Sequence, residues 1–140
     1  PDAPLSIEAI HGFVAGCQAD YRGSMEHFAP VMFKDDLSAE DLAWCADESC
    51  LVGANAGCNI LLDQTLYDAR EAIASGTVPT LNIWGRNEGL IPLSMGDWCV
   101  ANIAGSTLVI FEDSGHCPQL EEPARCVETI TAWLGETVSV

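Results

Sequence analysis

The sequence has very little positive charge. Its 140 residues include 5 lysines and arginines, of which Lys34 is the single lysine, against 21 aspartates and glutamates. The net charge of −16 would repel phosphate backbones, so nucleic acid is not expected as a partner. The acidic residues are spread along the chain, which indicates either adaptation to a salty environment or simple solubility.

Paired-cysteine motifs and membrane-length apolar runs are also missing. The seven cysteines are an odd number and include no C-x-x-C pair, which argues against a disulfide framework and a zinc site. We interpret them as buried thiols in a reducing compartment and expect a cytoplasmic location. The most apolar stretch, around residues 106–111, is too short to cross a bilayer, so no membrane partner is expected.

The sequence offers no pattern for a bound metal or cofactor. His11, His27 and His116 are unrelated by metal-ligand spacing, and no glycine-rich phosphate-binding loop is present. We therefore expect neither a metal nor a cofactor. Because 49% of the residues are hydrophobic, the chain has enough apolar side chains for a folded core.

Residues 1–75 predict a series of helices. The first begins after Ser6, and its apolar face recurs at helical spacing through Ile10, Phe13, Val14 and Cys17. Ser38 followed by Asp41 is typical of the start of another capped helix. Further helical segments are expected at residues 21–33, interrupted by Pro30, and at residues 51–62 and 68–74.

Residues 76–140 have a different pattern. Two compact apolar runs predict buried strands, and each is followed by a predicted helix: strands at 78–84 and 107–111, helices at 94–104 and 122–134. The last helix is expected to turn Val127, Ile130 and Leu134 toward the core. This alternation is typical of a parallel α/β sheet, in which ligands meet the loops at the carboxyl ends of the strands.

The loops after the two strands carry residues suited to catalysis. His116 follows the second strand, and an imidazole there can act as a general base near neutral pH. Glu88 follows the first strand and could orient that imidazole. The residues alone leave two interpretations open: a catalytic pair, or a bystander loop histidine beside a solvated turn carboxylate.

Two segments resemble the α/β-hydrolase family. Residues 78–88, Val-Pro-Thr-Leu-Asn-Ile-Trp-Gly-Arg-Asn-Glu, are similar to its v-P-t-L-x-x-x-G-x-x-D segment, and residues 114–123 are similar to its G-H-x-p-x-x-E-x-P segment. The helical part resembles the cap of the esterase and non-haem haloperoxidase-like branch. The resemblance implies an α/β fold, the carboxyl-terminal part of an α/β-hydrolase parallel sheet over residues 76–140, preceded by a helical cap or lid over residues 1–75.

The resemblance also implies roles for the two loop residues. His116 matches the catalytic histidine of the family. Glu88 stands where the family usually has aspartate, and as the acid of a catalytic triad it would orient His116. Glutamate can do this although it is one methylene longer.

The other carboxylates near these loops are expected to serve the structure. Asp97 and Asp113 are less favoured substitutes for the acid, and Asp113 is expected to brace the histidine loop. Glu121 and Glu122 are expected to lie at the N-terminus of the last helix, where negative charge suits the helix dipole.

The serine nucleophile of the family, which lies in a G-x-S-x-G turn, is missing from this sequence. None of the nine serines is flanked in that way. Residues 53–57, Gly-Ala-Asn-Ala-Gly, have asparagine in the serine position and are interpreted as loosened helix packing. Cys17 and Cys58 each follow a glycine but are expected to be core residues. Because residue 1 is not Met, we expect the numbering to begin inside a longer product or after processing.

Two functions therefore remain open. In the first, the chain is part of a serine hydrolase for an ester or related small carbonyl substrate, with His116 and Glu88 serving a nucleophile in a missing amino-terminal half or partner chain. Its cap would cover an acyl pocket lined by Phe28, Met32, Phe33 and Trp44. In the second, it is a non-catalytic binding or assembly module derived from such a hydrolase.

Two strands alone would leave an unpaired sheet edge and are few for independent stability. A complement is therefore expected: the amino-terminal half of the fold, a partner subunit or a second copy in a homodimer. Without it, the chain alone is predicted to be inactive.

Overall fold

The protein is described here by a computed structural model covering residues 6–64 and 66–137. The helices and strands follow one another in the order α1 (Ile7–Ala19), α2 (Tyr21–Phe28), a 3₁₀ turn (Ala29–Met32), α3 (Ala39–Leu51), α4 (Ala54–Gln64), α5 (Arg70–Ala74), β1 (Thr80–Gly85), α6 (Leu93–Asn102), β2 (Ser106–Phe111), α7 (Pro118–Glu121) and α8 (Pro123–Thr137).

The predicted helix starts are confirmed by their caps. The Ser6 hydroxyl accepts the N–H of Ala9 at 3.1 Å and begins α1. The Ser38 hydroxyl accepts the N–H of Asp41, also at 3.1 Å, and begins α3. In both cases a side-chain oxygen satisfies an amide that has no partner within the helix, which explains why serine marks these positions.

The predicted helix over residues 51–62 is wrong at its start. Leu51 ends α3, and α4 begins only at Ala54. Between them Gly53 has a φ of 78°, a left-handed conformation that glycine adopts without steric cost and that ends a helix. The glycine at position 53 is therefore a helix break, whereas the sequence interpretation treated it as loosened packing.

The helical core lies among α1, α2 and α4. Val14, Cys17 and Cys58 are buried there, and partly buried apolar side chains pack around them: Ile10, Phe13, Tyr21, Met25, Leu61 and Leu62. The apolar face predicted for α1 is thus the face that packs. All seven cysteines are free thiols, and five of them are buried.

The two strands form a parallel pair, as the sequence predicts. Their register runs from Thr80 opposite Ser106 to Gly85 opposite Phe111, so their carboxyl ends coincide. They are less buried than expected, because Gly85 and Phe111 alone are fully buried along them. In a larger parallel sheet, neighbouring strands and helices enclose each strand. Within the described residues β1 and β2 pair only with each other, so less of their surface is covered.

The predicted core face of the last helix is wrong for the described part of the chain. Val127, Ile130 and Leu134 are all exposed on α8, with Val127 at 64%. The helix is held instead near its first turn, where Arg125 lies 4.2 Å from the centre of the Phe111 ring and donates to the Ile110 carbonyl at 3.0 Å. The two described strands are too few to cover the whole of α8, so its apolar face has no apolar surface to pack against.

None of the helices in the described ranges is long and apolar enough to cross a membrane.

Candidate active site

The loops after β1 and β2 leave the same edge of the sheet and are bonded to each other. The N–H of Arg86 donates to the Phe111 carbonyl at 2.8 Å, and the N–H of Asn87 donates to the Ser114 carbonyl at 3.0 Å. The Asn87 side chain adds a bond to the Glu112 carbonyl at 3.1 Å. These bonds arise because parallel strands in register end together, and they fix the two loops as one unit.

Glu88 and His116 meet at this edge, 28 residues apart in the sequence. His116 Nδ1 lies 2.6 Å from Glu88 Oε2. The Glu88 side chain is 5% exposed, whereas the imidazole keeps 33% of its exposure. The second oxygen of Glu88 accepts the N–H of Leu90 at 2.7 Å, so both carboxylate oxygens have donors.

This arrangement orients the imidazole for proton transfer. When Nδ1 carries its proton toward Glu88, Nε2 has a free lone pair and can accept a proton from another group. The buried carboxylate would stabilise the imidazolium that results. Such a pair can serve as a general base, provided that a group with an acidic proton reaches Nε2.

Close packing of glycines brings the histidine loop to this position. A Cβ at Gly85 would lie 1.8 Å from the Gly115 carbonyl oxygen, and a Cβ at Gly115 would lie 2.9 Å from the amide nitrogen of Lys34. Neither approach leaves space for a side chain. The G-x-x-E and G-H glycines of the sequence therefore allow the backbone contact that brings His116 beside Glu88.

Glu121 has a different role from the one expected. It ends the short α7, ahead of α8, and its carboxylate turns back to the loop. Oε2 accepts from Gly115 N–H at 2.8 Å and from Cys117 N–H at 3.3 Å, while Oε1 accepts from Lys34 N–H at 2.7 Å. No spacing rule in the sequence predicts the bond to Lys34, because it joins segments 87 residues apart.

The other carboxylates agree better with expectation. Asp113 braces the loop through an ion pair with Lys34 Nζ at 2.7 Å, which lowers the pKa of Asp113. Glu122 precedes α8 and accepts the Ser114 hydroxyl at 2.7 Å, a bond that lowers the pKa of Glu122. Asp97 is exposed on α6.

Glu88 and His116 line a depression of about 320 Å³ along β1, and a larger apolar cavity of about 500 Å³, within the range typical of small-molecule sites, adjoins the loop that follows Glu88. Gly89 and Leu90, which follow Glu88, form part of its wall, and so does Val31, next to the residue that binds the His116 amide. Residues from α1 to α4 complete the lining: Ala9, Ile10, Phe13, Tyr21, Met25, Phe28, Ser49, Val52, Gly57, Ile60 and Leu61.

Of the four residues expected to line an acyl pocket, Phe28 lines this cavity. Phe33 and Trp44 line a separate, acidic depression that includes Asp35, Asp36, Asp41 and Asp113. Met32 lines neither cavity; its backbone carbonyl accepts the His116 N–H at 2.8 Å. The sequence analysis does not predict the lining from α1 and α4, because the helical periodicity of α1 equally favours a core face and the residues of α4 carry no signal for a pocket.

The nucleophile candidates of this chain are poorly suited to the role. Ser114 is fully buried and its hydroxyl is bonded to Glu122. Cys117 adjoins His116, but burial raises the pKa of its thiol, which disfavours the reactive thiolate. Burial likewise raises the pKa of Cys17, in the helical core. Ser139 lies outside the described residues.

Over residues 6–64 and 66–137, no cluster of three or more histidine, cysteine or carboxylate side chains is arranged to hold a metal ion.

Comparison with curated proteins finds esterases and hydrolases. A pimeloyl-[acyl-carrier protein] methyl ester esterase of Aromatoleum aromaticum is 26% identical over 133 residues, which cover 90% of this chain and 52% of the relative. A 2-hydroxy-6-oxononadienedioate/2-hydroxy-6-oxononatrienedioate hydrolase of Klebsiella pneumoniae is 47% identical over 45 residues, 32% of this chain and 16% of the relative. No protein-family profile matches the chain.

Solved structures give a closer match in shape. An esterase from Exiguobacterium antarcticum aligns with a TM-score of 0.87 and 22% identity, over 93% of this chain and 48% of the esterase. A bromoperoxidase from Bacillus anthracis aligns with a TM-score of 0.84 and 18% identity, over 93% of this chain and 49% of its own.

The chain therefore has the α/β-hydrolase fold over the part that it covers, in agreement with a carboxyl-terminal portion of that fold. The chain spans about half the length of the Aromatoleum aromaticum esterase and of these two solved structures.

Proposed function

We propose that this chain supplies the general base and the acid of a serine hydrolase that cleaves an ester or related carbonyl substrate. The observation that carries the proposal is the 2.6 Å contact between His116 Nδ1 and the buried Glu88 carboxylate. The esterases and hydrolases among its relatives support the same class of reaction. In this proposal Nε2 takes the proton of a serine hydroxyl as it attacks, and returns it to the leaving group.

The serine would come from outside this chain, either from an amino-terminal part of the same protein or from a partner subunit. Three features support a complement. The sequence lacks a G-x-S-x-G turn, the described sheet has two strands, and the apolar face of α8 is exposed.

The apolar cavity is the proposed site for the acyl group of the substrate. It adjoins the loop of Glu88, and among its lining residues only Tyr21 and Ser49 have polar side chains. The Tyr21 hydroxyl donates to the Ser49 carbonyl at 3.4 Å, so it is hydrogen-bonded within the protein. The rest of the wall is apolar apart from the Ser49 side chain. An uncharged, hydrocarbon-rich acyl group suits such a wall because its burial is favourable by about 0.8 kcal/mol per methylene.

The test is hydrolysis of p-nitrophenyl esters of increasing acyl length by the full-length protein and its His116→Ala variant. We expect the variant to lose about 10³-fold or more in kcat, because serine attack then lacks its base. His11→Ala is the matched control, since His11 is exposed on α1. Wild-type hydrolysis by the His116→Ala variant would contradict the proposal.

A second candidate function is a non-catalytic binding or assembly module, favoured by the absence of the G-x-S-x-G turn in this sequence. Labelling the full-length protein with a fluorophosphonate separates the two candidates. An adduct on a serine outside residues 1–140 supports the hydrolase. No adduct, together with no ester hydrolysis, supports the module, and an adduct within residues 1–140 would replace our assignment of the site.

A further inference from the structure

The Glu121 carboxylate binds three backbone amides around His116. Two belong to Gly115 and Cys117, the residues on either side of the histidine, at 2.8 and 3.3 Å. The third belongs to Lys34, at 2.7 Å. One side chain therefore joins both flanks of the histidine to the segment that follows the 3₁₀ turn.

The end of the 3₁₀ turn also holds the histidine amide itself. The N–H of His116 donates to the Met32 carbonyl at 2.8 Å. All three consecutive amides, at residues 115–117, thus have acceptors, and two of the three share Glu121. Gly115 and Cys117 are buried, so without this carboxylate their amides would have no acceptor and no access to water.

The two partners of the His–Glu pair are held by separate means. Glu88 is fixed by the N–H of Leu90 in its own loop. Among the described residues the imidazole is bonded to Glu88 alone, so its position depends on its backbone. A displacement of about 1 Å in that backbone would remove a 2.6 Å hydrogen bond, and errors of this size cost catalysts about a hundredfold in rate.

We infer that Glu121 is a positioning residue for His116: its carboxylate fixes the histidine loop against the Met32–Lys34 segment, so that the imidazole keeps its contact with Glu88. The catalytic consequence rests on the proposed function. The positioning itself depends on the geometry alone and can be measured without catalysis.

Glu121→Gln in the full-length protein is the test. The amide keeps the shape but replaces one acceptor oxygen with a donor, so at least one of the three backbone N–H groups loses its acceptor. We expect the Nδ1 proton signal of His116 to broaden or shift upfield and the Gly115 and Cys117 amides to exchange faster. In the hydrolysis assay, kcat should fall about ten- to a hundredfold while KM changes less than about twofold.

Asp113→Asn is the matched control. Asp113 joins the same two segments through its ion pair with Lys34 Nζ, but the side chain is 76% exposed and binds no loop amide. Because this exposed ion pair also braces the loop, the variant should change kcat and the exchange rates of the Gly115 and Cys117 amides by less than about twofold, well below the effect of Glu121→Gln. An equal effect of the two variants would show that the amide bonds of Glu121 matter no more to the position of His116 than the exposed ion pair does, and would overturn the inference.

A folded Glu121→Gln protein with a wild-type Nδ1 signal and wild-type exchange would also overturn it. If that variant does not fold, amide exchange in the unaltered protein decides, since Gly115 and Cys117 amides exchanging at the rates of exposed amides would contradict the inference and protected ones would support it. A changed Nδ1 signal in a protein without ester hydrolysis would leave the positioning standing and count against the proposed function alone.

Discussion

Glu88 is one methylene longer than the aspartate usual at its position in the resembling family, yet it reaches His116 Nδ1 at 2.6 Å. The loop takes up the extra length by directing the second oxygen to the Leu90 amide, two residues away. The carboxylate is almost completely buried, and such a group is tolerated there because donors satisfy both of its oxygens.

Glu88→Gln should therefore lower kcat for ester hydrolysis in the full-length protein by about 10²- to 10⁴-fold. The amide cannot stabilise an imidazolium, and it can favour the wrong tautomer of the histidine. Asp97→Asn is the control, because Asp97 is exposed on α6 and was the alternative acid in the sequence. If the Asp97 variant lost activity and the Glu88 variant kept it, the acid would have been assigned to the wrong residue.

The sequence predicted both members of this pair but not the residue that holds them. His116 and Glu88 follow two apolar runs, and the carboxyl ends of parallel strands meet at one edge of a sheet. Glu121 stands at the glutamate of the G-H-x-p-x-x-E-x-P pattern, but that pattern does not indicate its partners, which are backbone amides at positions 34, 115 and 117. Any residue except proline offers such an amide, so the sequence cannot identify these contacts.

Among the elements, β1 meets the histidine loop in close backbone contact at Gly85. Gly85 ends β1 directly against the backbone of residues 114 and 115. The strand can therefore approach the loop closely enough for Asn87 to bond to the Ser114 carbonyl. The position of His116 thus depends on Gly85, the last residue of β1, having no side chain.

Gly85→Ala should destabilise the protein by about 3 kcal/mol, because the added Cβ would meet the carbonyl oxygens of Gly115 at 1.8 Å and Ser114 at 2.3 Å. Both are backbone atoms, so relief requires moving the histidine loop. Chemical denaturation of the variant measures the change in the free energy of unfolding.

Gly12→Ala is the matched control for that measurement. Gly12 lies within α1 with no heavy atom near its added Cβ, so this variant should be stabilised by about 0.5–1 kcal/mol through helix propensity. Equal stability of the two variants would show that the close approach at Gly85 is not a constraint.

At the scale of the whole molecule, the charge of −16 is the dominant electrostatic feature. Exposed ion pairs reduce the repulsion among the carboxylates locally. The pKa of Asp68 is lowered to about 2 by its hydrogen bonds to Arg70, and Arg86 lowers the pKa of Glu112. All of these groups are exposed, so their stabilising effect is small compared with the repulsion among the unpaired carboxylates.

The melting temperature at pH 7 should therefore rise as sodium chloride is increased from about 0.05 to 1 M, because salt screens repulsion at this range. At pH 4, near the isoelectric point of 4.1, the same salt series should have little effect. A melting temperature that falls with salt at pH 7 would mean that attractive pairs outweigh the repulsion.

The lowered carboxyl pKa values set a separate pH window. A carboxyl whose pKa is lower in the folded state stabilises the fold above its unfolded pKa of about 4. That stabilisation is lost as the pH falls from about 4 toward 2, where Asp68 takes up its proton. Acid unfolding of the Asp68→Asn variant should therefore begin at a higher pH than that of the unaltered protein. The difference in pH should be small, since the pair is exposed.

The sequence by itself determined most of the helices, both strands and their parallel pairing, because apolar periodicity and serine caps are local signals. It also indicated His116 and Glu88, since each lies in the loop after a predicted strand, within a segment that resembles the α/β-hydrolase pattern. Tertiary structure alone decided the distance between them, the break at Gly53, the cavity lining and the bonds of Glu121. Most of these features depend on which atoms meet when separate segments pack together, and a backbone amide or carbonyl that makes such a contact is the same group at almost every position.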